Sequence, residues 1–83
     1  MGRIIVEVMP KPEILDPQGK AVAGAFGHQN ITAFTSVRQG KRFELETAGE
    51  VTEEDLNQAR RAAELILSNP IIEDVVGVYE ESK

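Results

Sequence analysis

Cysteine is absent from the 83 residues, so disulfides, thiol nucleophiles and zinc–thiolate sites are excluded. Tryptophan is absent too, and one tyrosine and three phenylalanines are the whole aromatic complement. That is too few for the stacked aromatics with which an RNA-recognition domain holds bases. Positive charge is scarce: nine Lys and Arg stand against fourteen Asp and Glu, a net charge of −5. A nucleic-acid clamp needs clustered cations to displace counterions from phosphates, so this balance speaks against one. No apolar run approaches the roughly 20 residues of a membrane helix. The opening Met1-Gly2-Arg3, followed by Ile4-Ile5-Val6, is broken by Glu7 before a signal-peptide core can form. Glu7 also stands where a myristoylation signal wants Ser or Thr. The expected location is the cytoplasm. What is present, 41% hydrophobic and 28% charged residues, suits one small globular domain spanning 1–83. Such a short chain buries only roughly 60–65% of its unfolded surface, so self-association is a natural source of added stability.

Hydrophobic period then sets the order of elements. Ile4, Val6 and Val8 alternate with Arg3, Ile5, Glu7 and Met9, a strand pattern ended by Pro10 and Pro12. Asp16 and Pro17 suit the N-cap and first position of a helix, behind which Val22, Ala25 and Phe26 form a narrow apolar stripe. Gly24 and Gly27 weaken that helix, and its end is expected near Gln29, with Asn30 in a left-handed cap. Ile31 to Gln39 reads as a second strand, turning at Gln39-Gly40 into a third that carries Phe43, Leu45 and Thr47. Thr52-Glu53-Glu54-Asp55 resembles a capping box, followed by the apolar face Leu56, Ala59, Ala63, Ile66 and Leu67. Asn69-Pro70 stops this helix. A last strand runs from Ile72 to Tyr79, and Glu80 to Lys83 is expected to fray. The order β-α-β-β-α-β predicts an α+β, ferredoxin-like sandwich: a four-stranded antiparallel sheet with both helices on one face. Ile5, Met9 and Tyr79 would then occupy the uncovered face, an apolar surface that predicts a homo-oligomer.

Chemistry is harder to find. His28, the one histidine, lacks a nucleophile and an orienting partner, and reads as a solvated imidazole near a helix end. Glu44, Glu46, Glu53, Glu54 and Asp55 read as solvated carboxylates rather than metal ligands. The sequon Asn30-Ile31-Thr32 carries no weight without a secretory signal, and Gly19-Lys20 lacks the rest of a phosphate loop. No catalytic, cofactor or metal residue is expected in this chain. Two segments remain as candidate interaction sites. Asp16-Pro17-Gln18-Gly19 contains more than a helix cap needs, and Val37 to Arg42 holds the one concentration of positive charge.

Those segments carry a resemblance. Leu15 to Val22, then Val37-Arg38-Gln39-Gly40-Lys41 with Glu44-Leu45, then Asn69-Pro70-Ile71-Ile72-Glu73-Asp74 occur in this order and spacing in the PurS family. PurS is the small subunit of phosphoribosylformylglycinamidine (FGAM) synthase, and the resemblance runs along nearly the whole chain. It implies a subunit without its own active site, associated with itself as a dimer or tetramer. The implied partners are a glutaminase subunit, which releases ammonia from glutamine, and a synthetase subunit. The latter uses ATP, with magnesium, and that ammonia to form the amidine. The chain would bridge them, support ammonia transfer and bind no cofactor alone. Asp16, Gln18, Gly19, Arg38, Gly40 and Lys41 are the residues this picture assigns to subunit interaction. Gln29-Asn30 departs from the family's usual Leu-Gly pair, and Val75 stands where an aromatic is frequent. The alternative is a ligand-sensing regulatory module of the same fold. Such modules place a glycine-rich turn after the first strand, where this chain has Gly19 alone.

Overall fold

The computed structural model describes residues 1–12 and 17–81. The expected N-cap Asp16 lies outside them, as do Ser82 and Lys83. The chain is α+β, with two helices and a sheet of three antiparallel strands. Strand β1 (Gly2–Pro10) is central, flanked by β2 (Lys41–Thr47) and β3 (Glu73–Glu80). Its run of β-branched residues suits that place, since a central strand is covered on both faces. Ile4, Ile5, Val6 and Val8 are all 2% exposed or less.

Register sorts the side chains by face. Val6 lies opposite Phe43 and Val78, and Ile4 opposite Leu45. This face packs on helix α2 (Glu53–Ala62) and the π-helical turn Ala63–Leu67 that continues it, with Ala63 and Leu67 against the cluster of Val6 and Val8. The other face departs from expectation. Ile5, flanked by Glu44 and Tyr79, is fully covered within the chain, and Met9 is half-buried. The surface around them carries ion pairs, while Tyr79 opposite Ile5 remains 43% exposed as expected. Arg3 pairs with Glu81 at 3.0 Å, and Arg42 with Glu44 and Glu81 at 2.5 and 2.8 Å. Glu81 is thereby held, and its amide also donates to Arg3 O, so the chain does not fray at 80–81.

Local signals explain the ends of α2. Thr52 Oγ1 accepts from Asp55 N at 3.1 Å while Asp55 Oδ2 accepts from Thr52 N at 3.0 Å, the expected capping box. The apolar face is realised by Ala59, Ala63, Leu56 and Leu67, but Ile66 is 78% exposed. In the π-helical turn each hydrogen-bonded ring takes one residue more than in an α-helix, which rotates Leu67 toward the sheet and Ile66 away.

The larger difference lies between 17 and 40. Helix α1 (Pro17–His28) forms as expected and closes on Asn30 at φ 60°, but it is not packed over the sheet beside α2. Residues 31–40 form no strand, so among the described residues the sheet has three strands and the expected four-stranded ferredoxin-like order is not seen. The expected hairpin at Gln39-Gly40 is not made. A two-residue hairpin turn needs a left-handed residue, and no glycine among the described residues has positive φ. Gly40 instead lies so close to the end of β1 that a Cβ would collide with the Met9 sulfur and the Val8 carbonyl oxygen. The chain thus enters β2 along the end of β1 without reversing. The molecule measures 46 × 31 × 14 Å, and its radius of gyration is 15.9 Å against about 12 Å for a compact domain of this length.

Candidate functional site

The sheet end at which β1 finishes and β2 and β3 begin collects the segments singled out in the sequence. Arg38 Nη2 donates to the carbonyl of Pro10, and Gln39 Nε2 donates to Gln18 Oε1, tying the first turn of α1 to the approach to β2. Lys41 Nζ reaches Glu73 Oε2 at 3.0 Å, so the third segment joins the same cluster. Of the six candidates, Gln18, Arg38, Gly40 and Lys41 are exposed, Gly19 is buried, and Asp16 is outside the described residues. Three stretches separated in sequence therefore form one polar surface.

Sequence reasoning missed several members of that cluster. Lys11 Nζ pairs with Asp74 Oδ1 at 2.6 Å, and Lys11 N donates to Ile72 O at 2.9 Å. Glu73, with a side chain 11% exposed, accepts from Asn69 N through Oε1 at 2.8 Å and receives Lys41 on its other oxygen. Asn69 Oδ1 accepts from Ile71 N, and Asn69 O accepts from Ile72 N and Glu73 N, so Glu73 and Asn69 together tie off the Asn69-Pro70 turn. The Asn69 amide first, then Lys41, holds the Glu73 carboxyl below the usual glutamate range. The signal for Lys11 was available: an antiparallel first and last strand put the end of one beside the start of the other.

The cluster presents ion pairs and amides without a nucleophile–base pair. His28 is exposed at the end of α1, and Glu44 and Glu46 are paired with arginines. Among the described residues no group of three or more His, Cys, Asp or Glu is placed to hold a metal ion. A hollow of about 600 Å³ at the opposite sheet end is lined by Arg3, Glu46, Glu50, Glu80 and Glu81 together with the first two residues. Among the described residues no helix is long and apolar enough to cross a membrane.

Comparison with known proteins gives one consistent answer. The family model for PurS, described as phosphoribosylformylglycinamidine (FGAM) synthase, matches residues 3–81. A Mycobacterium leprae protein, phosphoribosylformylglycinamidine synthase subunit PurS, is 50% identical over 74 residues, 89% of this chain and 90% of that protein. The C2 crystal form of Bacillus subtilis PurS superposes with TM-score 0.79 at 34% identity, covering 99% of this chain and 100% of that one. A chain of the Thermotoga maritima PurLQS structure superposes with TM-score 0.82 over 96% of each chain; at 24% identity this likeness speaks for the fold. Family model, relative and solved fold agree along most of the length, and the chain belongs to the PurS family, a subunit of FGAM synthase.

Proposed function

We infer that this chain acts in the cytoplasm as the non-catalytic bridging subunit of an FGAM synthase complex in purine biosynthesis. It joins the glutaminase and synthetase subunits and supports ammonia transfer between them. The observation that carries this reading is the convergence of α1's first turn, residues 38–41 and the Asn69–Asp74 turn on one exposed, polar sheet end. Paired charges and amides of this kind recognise a protein surface by complementarity. The relative of 50% identity, named as a subunit of phosphoribosylformylglycinamidine synthase, supports a role within such a complex. ATP, magnesium and glutamine are then used by the partner subunits, with none held by this chain alone. Gln18, Arg38, Gly40 and Lys41 form the partner-facing surface, with Gly19 buried behind Gln18 and Asp16 beside them in sequence. Self-association completes the assembly, and the four-stranded arrangement belongs to the associated form.

The test is amidine synthesis by the two partner subunits with and without this chain, comparing glutamine with free ammonia as nitrogen donor. The chain should be required with glutamine and largely dispensable with ammonia. Arg38→Ala should lower the glutamine-dependent rate and leave the ammonia-dependent rate unchanged. An unchanged glutamine rate without the chain overturns the bridging role, and a thermal shift with a single amino acid or nucleotide would then favour a ligand sensor.

A further inference from the structure

The cations of the candidate surface are of two kinds. Lys11 faces Asp74 at 2.6 Å and Lys41 faces Glu73 at 3.0 Å, so each is neutralised within the chain. Arg38 is not. Its side chain is exposed, and among the described residues no carboxylate lies within ion-pair distance of it. The acceptor it does meet is uncharged: Nη2 donates to the Pro10 carbonyl. A guanidinium carries five N–H donors in a planar fork, so most of its hydrogen-bonding capacity is left over. Position adds to this. Helix α1 and residues 29–40 form an arm off the closed sheet, with the Phe26 and Phe34 rings 5.7 Å apart. Arg38 stands where that arm approaches β2, and its bond to Pro10 fixes the guanidinium against the end of β1.

Charge and geometry together select what such a group can bind. The chain carries a net charge of −5 and repels acidic surfaces in general. At this sheet end the carboxylates of Glu73 and Asp74 are already taken up by lysines, which leaves Arg38 as uncompensated positive charge. A phosphate brings nearly two negative charges, which Glu73 and Asp74 in the same cluster oppose. A single carboxylate fits better, because it balances one guanidinium and can accept two parallel N–H bonds from it. Two loose surface side chains gain little from pairing, since both lose rotamer freedom. A guanidinium already tethered to a carbonyl has less freedom to lose.

We propose that Arg38 is the receptor for an Asp or Glu side chain of a partner subunit, whose carboxylate it grips with the edge of the guanidinium that Pro10 leaves free. The carboxylate belongs to a non-identical subunit because Arg38 is continuous with the surface formed by the first turn of α1, residues 38–41 and the Asn69–Asp74 turn, the surface assigned to bridging. This inference rests on the bridging role in the proposed function and names the chemistry of the group recognised there.

Calorimetric binding of the chain to the glutaminase and synthetase subunits, each titrated separately at rising salt, tests it. Arg38→Gln keeps a donor for the Pro10 carbonyl and removes the charge. It should raise the dissociation constant for one of the two subunits about tenfold or more and flatten the salt dependence of that binding. Arg38→Lys keeps the charge without the fork and should fall between Arg38→Gln and the unsubstituted chain. Urea unfolding of both variants should match that of the unsubstituted chain, and if Arg38→Gln does not fold, Arg38→Lys carries the test. An arginine that serves only to hold Pro10 predicts undiminished binding by Arg38→Gln, and that result overturns carboxylate recognition while leaving the bridging role standing. A lowered mass of the Arg38→Gln chain alone places the carboxylate on a second copy and overturns the proposal. So does Arg38-dependent binding of inorganic phosphate with subunit binding unaffected. Failure of the unsubstituted chain to bind either subunit overturns the bridging role and this inference together.

Discussion

The half of the chain built from β1, β2, β3 and α2 closes on itself, whereas α1 and residues 29–40 do not. Both halves contain apolar residues, so hydrophobicity alone does not explain the difference. In the sheet half, β-branched residues fall on a strand with neighbours on both sides, and four of them are almost fully buried. In the other half, the apolar stripe of α1 is narrow and the helix contains Gly19, Gly24 and Gly27, while Ala25 and Phe34 face solvent. Alpha-helix propensity, a left-handed Asn30 and one ring contact give that arm shape without a core. A chain can specify local structure in two regions and tertiary structure in only one.

The largest effect should separate the halves directly. Ile5→Ala removes a fully covered side chain from the central strand and should cost about 2–5 kcal/mol in urea unfolding. Phe34→Ala, at a ring 64% exposed, should change the unfolding of a dilute single copy by no more than about 0.5 kcal/mol. Equal losses would show that the arm shares the core and would abolish the contrast.

Gly40 sits where the halves meet. Its backbone is not left-handed, so alanine meets no torsional penalty, but the new methyl would press on Met9 and the Val8 carbonyl. Gly40→Ala should destabilise the fold by about 1–3 kcal/mol, read in the same urea titration. A neutral result would mean that the approach to β2 is held away from β1 and that its straight path is not imposed by packing. Within the closed half, Thr52→Ala removes one member of the capping box and should cost about 1 kcal/mol without altering the arm. Thermal unfolding measures it.

Legibility in the sequence follows the same division. The strands at 2–10, 41–47 and 73–80, the capping box and the left-handed Asn30 all rest on local period or local hydrogen bonds, and each is found. The Gln39-Gly40 hairpin was misread because glycine serves two purposes. It permits positive φ, and it permits close approach of two backbones; only the second operates here. Ile66 was misplaced by extending an α-helical period across a turn that is π-helical. Ile5 reads as part of an open apolar face because residue spacing does not disclose that the side chains of the flanking strands, Glu44 and Tyr79 among them, leave it fully covered. At the candidate site, Arg38, Lys41 and Gln18 were visible as a charge cluster and an unexplained helix start. Their meeting with Glu73 and Lys11 depended on register, which only the folded sheet supplies.

The smallest effect concerns Glu73, which links that site to the closed half. Its carboxylate accepts from the Asn69 amide and, second in weight, from Lys41, so its folded pKa lies below the ordinary value near 4.5. The unfolded chain therefore binds more protons than the folded one in that range, and stability rises with pH there. The contribution is fully present above about pH 4.5 and is lost as pH falls through the lower folded value. Glu44, lowered chiefly by its hydrogen bond to Arg42, titrates in the same direction, so removing Glu73 should reduce the slope without abolishing it. Glu73→Gln should flatten the stability profile below pH 5, measured by urea unfolding at successive pH values. Lys41→Met should flatten it less, because the amide contact survives. If the two variants flatten it equally, Lys41 rather than the Asn69 turn holds the carboxylate, and the sheet end is organised by exposed charge instead of by backbone.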